Sequence, residues 1–209
     1  MSKKDLEARV KSHAYDPYEL LQCSRWFYSE FNDAARAKEV LHLALDAASA
    51  DYSVAGVYFD AAEIATDLMG DAEFAAAIRS KLCAQEMNCI DYADAYRQFE
   101  MIQDMDNARA MMVKAAQKFD DSIDLEQACF YARECAESLN DKALGLKFTN
   151  HCISLNPTQS YELQGLIEAL AVCADFKSAE EWLSKYKSVA SADEVKEMTN
   201  RINEIKAGN

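Results

Sequence analysis

Apolar and polar positions along the chain follow a helical period, and the phase of that period resets five times. Each reset falls on an aspartate: Asp33, Asp71, Asp104, Asp141 and Asp175, spaced 38, 33, 37 and 34 residues apart. Four residues after each stands a small residue: Ala37, Ala75, Ala108, Gly145 and Ala179. Seven after stands a large apolar one: Val40, Ile78, Met111, Phe148 and Trp182. Eleven after stand Ala44, Leu82, Ala115, Cys152 and Tyr186. Offsets of 4, 7 and 11 lie on one stripe of an α-helix.

The segments before each aspartate read as helices too. Twelve residues upstream stand Leu21, Phe59, Tyr92, Cys129 and Leu163; nine upstream stand Ser24, Ala62, Ala95, Ala132 and Leu166. Immediately before the aspartates come Asn32, Gly70, Gln103, Asn140 and Ala174. Asn and Gly tolerate the left-handed residue that closes many helices. An aspartate next to it suits an N-cap, because its carboxylate accepts from free N–H groups at the positive end of the next helix. Each unit is therefore helix, tight turn, helix. A small residue near the turn lets the two helices approach, and a large one further along fills the gap. One such hairpin cannot bury its apolar face alone, so stacking is required.

The ends read as caps. Residues 191–206 open with a Ser191-x-x-Glu194 capping box and carry one apolar stripe, Val195, Met198, Ile202 and Ile205. Residues 2–13 read as a short N-terminal helix. The expected division is an N-terminal segment, 1–14; an array, 15–190, with units near 16–50, 51–88, 89–120, 123–157 and 158–190; and a capping helix and tail, 191–209.

This pattern resembles the tetratricopeptide repeat family, whose units are helical hairpins of about 34 residues. Gly70-Asp71 fits the family's turn, the alanines four residues after the aspartates fit its small position, and Asn156-Pro157 fits its closing proline. The resemblance implies an all-α fold, a right-handed α-α superhelix of about five hairpins. The spacings of 38 and 37 leave room for longer turns, and Gly145 departs from alanine.

Composition agrees with an all-helical chain: 209 residues hold only 5 Gly and 2 Pro. That length can bury about 70% of the unfolded surface. The net charge of −14 argues against nucleic acid and against anionic membranes. It is compatible with a basic partner or with plain solubility. The charged N-terminus has no apolar core region, and no stretch approaches the roughly 20 apolar residues of a membrane span. A soluble, cytoplasmic protein is expected. Seven cysteines, an odd number without a CxxC, read as reduced thiols used as small core residues.

Chemistry has little to stand on. Glu39-x-x-His42 is half of a di-iron bundle motif, and its second half is absent. Cys83/Cys89 and Cys129/Cys135 lie nearly on opposite helix faces, which does not suit one zinc. The five glycines are isolated, so there is no phosphate loop. No enzyme, metal or cofactor is expected.

The resemblance implies instead a groove lined by the first helix of each hairpin. Its candidate residues are Glu19, Trp26 and Glu30; Asp60 and Ile64; Asp94 and Arg97; Phe130, Tyr131 and Glu134; and Tyr161 and Glu168. Where family members grip a peptide's terminal carboxylate, this chain has Gln22, Trp26, Ala61, Ile90 and Asp94, so such a clamp is disfavoured. An acidic groove with aromatic anchors suits a basic or amphipathic protein segment. An acidic chaperone like those of bacterial secretion systems is one narrower version. A self-assembling scaffold is the other class of function, and an enzyme or metal protein on helical hairpins the third.

Overall fold

The computed structural model describes residues 1–49 and 53–208. The described residues form α-helices and one π-helical turn, and no strand. The helices are α1 (Lys3–Ser12), α2 (Pro17–Phe31), α3 (Ala34–Ala47), α4 (Val54–Glu63), α5 (Ala72–Cys83), α6 (Cys89–Met101) and α7 (Met105–Ala115). They continue as α8 (Leu125–Glu137), α9 (Lys142–Ser154), α10 (Ser160–Val172), α11 (Phe176–Tyr186) and α12 (Ala192–Gly208). The π-helical turn, Ile64–Leu68, extends α4. The chain divides into two compact units, Met1–Met111 and Met112–Asn209, with the divide inside α7.

All five turns form as the pattern predicts. The residue before each aspartate is left-handed: φ is 48° at Asn32, 66° at Gly70, 60° at Gln103, 49° at Asn140 and 65° at Ala174. Gln103 and Ala174 are not residues that favour this conformation, so the turn geometry prevails over local preference. Each aspartate then caps the next helix, accepting from the backbone N–H of Arg36, Phe74, Asn107, Leu144 and Ser178 at 2.9–3.3 Å. In the first unit two caps also tie neighbours together. Lys3 of α1 pairs with Asp33 at 2.6 Å, and Lys38 of α3 pairs with Asp71 at 2.5 Å. These lysines, and then the backbone bonds, hold both carboxyls below their usual pKa.

The repeating stripes are buried in every hairpin. Ala37, Ala75, Ala108 and Ala179 are wholly enclosed, as are Val40, Phe148, Leu82 and Cys152. Gly145 is buried as well. The extra residues behind the long spacings do not lengthen these turns. They fall between α3 and α4, between α7 and α8, and in the π-helical turn of α4.

Within the first unit α1 packs on α2, and α2, α4 and α6 pack in succession, with α3 against α2 and α4 and α5 against α4. Within the second unit α10 lies between α8 and α12, while α9 and α11 complete the hairpins. Both terminal helices open with a capping box, of which the sequence pattern predicts the one before α12. Ser2 and Asp5 form a capping box at α1, and Ser191 and Glu194 bond reciprocally at 2.7 and 3.3 Å before α12. Met198 and Ile202 are the buried part of the α12 stripe. Among the described residues no helix is long and apolar enough to cross a membrane.

Candidate interaction face

The first helices of the hairpins carry the candidate residues, and the two units present them differently. In the first unit the face of α2 is covered by the chain's own N-terminus. Arg9 of α1 donates to Glu19 through Nε and Nη2, at 3.0 and 2.8 Å. Its guanidinium also lies 5.1 Å from the centre of the Trp26 ring. Glu19 is thus paired and Trp26 half-buried, while Glu30 and Arg97 remain exposed.

Asp60 on α4 and Asp94 on α6 are half-buried carboxylates. Burial raises both pKa values; Glu63 adds to the rise at Asp60, and Arg25 opposes it. Arg97 opposes the rise at Asp94. Ile64 does not fit the groove reading, because it is only 2% exposed. Counting back from Asp71 crosses the π-helical turn, whose extra residue rotates everything before it, so the α-helical projection puts Ile64 on the wrong face. A shallow cleft of about 300 Å³, lined by Arg25, Glu63, Ile64, Asp67 and Leu68, marks this turn.

In the second unit the face is open. Tyr131 is again a correction: it is 2% exposed, with its ring turned toward Phe148 at 6.1 Å. Phe130 stands edge-on to it at 5.3 Å and is half-buried. The remaining candidates gather around Glu168. Glu168 accepts from Arg133 of α8 at 3.1 Å and pairs with Arg201 of α12 at 3.4 Å. Three clefts share this carboxylate. One of about 620 Å³ lies between α10 and α12. One of about 410 Å³ lies between α8 and α10, beside the 69%-exposed Tyr161. A third, of about 190 Å³, is lined by Phe130, Arg133, Glu134, Glu137, Val172 and Arg201 besides Glu168.

Together the three clefts are lined by ten carboxylates (Asp124, Glu126, Glu134, Glu137, Glu162, Glu168, Asp193, Glu194, Glu197 and Glu204) against three cations, Arg133, Lys196 and Arg201. The sequence pattern missed Arg133, one position from Glu134, and Arg201, which adjoins the apolar stripe of α12. It read α12 only as a closing helix. Nothing in the repeat pattern marks either arginine, since both act through a partner on another helix.

Among the described residues no three His, Cys, Asp or Glu side chains come together as metal ligands. His42 is exposed, its ring 5.4 Å from Phe74. His151 stacks on Phe119 at 4.4 Å, and burial lowers its pKa. Compared with family models, with curated proteins and with solved structures, the chain yields no match.

Proposed function

We propose that this chain is a non-enzymatic interaction module of tetratricopeptide-like hairpins, stacked as a right-handed superhelix within each unit. In this reading the face formed by α8, α10 and α12 receives a basic or amphipathic protein segment. The observation that carries it is the lining of the clefts around Glu168, where carboxylates outnumber cations ten to three. Such a surface draws in a cationic segment from a distance and pairs with it at the rim. Tyr161, exposed beside the cleft over α8 and α10, offers an apolar body with a polar tip as an anchor. Glu168 is held by two arginines and so shapes the floor, leaving the outer carboxylates to meet the partner. The overall charge of −14 points the same way and away from nucleic acid.

Titration with a fluorescent peptide rich in Lys and Leu tests the reading. Affinity should fall steeply with added salt. The double change Glu126→Lys and Glu197→Lys, both exposed on the cleft walls, should weaken binding about tenfold or more. An acidic peptide that binds as tightly, or a charge reversal without effect, overturns it.

A further inference from the structure

The repeat register brings two thiols together in the fourth hairpin. Twelve residues before Asp141 and eleven after it, the stripe positions hold Cys129 on α8 and Cys152 on α9. Their sulfurs lie 3.4 Å apart, and both residues are buried. Cys129 donates to Cys152, which donates in turn to the Leu125 carbonyl at 3.8 Å. An S–S bond is about 2.05 Å long, so closing the pair asks for a shift of side chains inside one hairpin.

The two thiols differ in access. Cys129 lines the cleft between α8 and α10, and Cys152 does not. Across that cleft stands Gly165: a methyl group there would lie 3.8 Å from both Cβ and Sγ of Cys129. A side chain at position 165 would therefore cover the Cys129 sulfur on the cleft side.

We propose that Cys129 and Cys152 are a modification site, a thiol pair that a peroxide entering over Gly165 closes to an intrahairpin disulfide. The Cys129 sulfur, having given up its proton, attacks one peroxide oxygen. The O–O bond breaks, leaving a sulfenic acid on Cys129, and the departing hydroxide takes up a proton as water. The Cys152 sulfur then attacks the Cys129 sulfur. The S–O bond breaks, and the hydroxyl leaves as a second water with the Cys152 proton. Two thiols are oxidised by two electrons, and one peroxide is reduced to two waters. The order of roles follows from the surroundings. Cys129 lines the cleft and meets the peroxide first, and Cys152, which does not line it, is the resolving partner. Cys173 is a third buried thiol nearby, pushed up to about 12 by burial, and it donates to the Ala132 carbonyl at 3.6 Å.

The test treats the full chain with hydrogen peroxide, quenches with acid, alkylates the free thiols and maps the peptides. The expected product joins Cys129 to Cys152 within one chain with loss of two hydrogens, and dithiothreitol reverses it. Half-buried Cys83 reports ordinary surface oxidation, and fully buried Cys135 reports an inaccessible thiol. In Cys152→Ser, Cys129 should accumulate as a sulfenic acid that a 1,3-diketone traps. Gly165→Ala, whose methyl fits, should slow Cys129 oxidation several-fold relative to Cys83, and Gly165→Val more so, with the circular dichroism of the native protein retained. The proposal fails if Cys129 oxidises no faster than Cys135, or if the crosslink appears only once the protein unfolds. It fails equally if filling position 165 leaves the rate unchanged in a folded variant.

Discussion

The hairpins α2/α3 and α8/α9 close through the same pair of positions and fill them differently. In the first, Ser24 faces Ala37, and its hydroxyl donates to the Ala37 carbonyl at 2.9 Å. In the other, Ala132 faces Gly145. A Cβ on Gly145 would stand 2.6 Å from the Ala132 carbonyl oxygen and 2.6 Å from the Cys173 sulfur. A hydroxyl bridging two helices needs a gap, whereas a carbonyl set against a bare Cα leaves none. A neighbouring hairpin shares the tighter contact, because Cys173, at the end of α10, donates to the same Ala132 carbonyl. In these two hairpins the residue at the small position goes with how closely the helices approach.

Gly145→Ala attacks the tighter contact and should have the largest effect. Alanine gains about 0.5–1 kcal/mol of helix preference over glycine, but overpacking against a carbonyl and a buried sulfur costs about 1–3 kcal/mol. Urea unfolding should show a net loss of stability. A neutral result would mean that the two helices can separate, which would erase the contrast between the hairpins.

Ser24→Ala attacks the looser contact. Because the hydroxyl is buried and its bond is made to a carbonyl of the opposite helix, its removal should cost about 1 kcal/mol. If the loss approaches that of Gly145→Ala, the hydroxyl bridge is as restrictive as the bare Cα.

The smallest effect belongs to the turns. As Asp71 pairs with Lys38 of α3, so Asp33 pairs with Lys3 of α1. Its carboxyl is held below the usual range by that lysine and then by the Arg36 backbone. A lowered carboxyl adds stability above the unfolded value near 3.8, and that stability is lost as pH falls through the folded value. Asp33→Asn keeps the capping oxygen and loses the charge. Its deficit against the native chain should be small at neutral pH, shrink with salt, and vanish in acid below the folded value. A deficit independent of pH would show that the cap's geometry alone matters.

The turns were legible because their causes are local. An aspartate N-cap, a left-handed residue before it and a stripe of period 3.6 act within a dozen residues. For that reason all five turns appear where the pattern put them, even with Gln103 and Ala174 as the left-handed residue. The face was less legible. Ile64 was misplaced by one extra residue in the π-helical turn, and Tyr131 turned inward to the core. Trp26 and Glu19 lie on α2, and their cover by Arg9 comes from α1.

The sequence by itself determined the helices, their caps, their buried stripes and the acidity of the chain, because capping and hydrophobic periodicity are properties of short segments. Only the tertiary structure decided which acids line the clefts around Glu168. That choice depends on the convergence of α8, α10 and α12, which brings Arg133 and Arg201 onto Glu168 from two directions. Gly145 likewise sits against Ala132 of α8 and Cys173 at the end of α10, and Cys129 of α8 lines a cleft beside Gly165 of α10. Each is a matter of distance between residues far apart in the chain, and a periodic pattern carries no information about that distance.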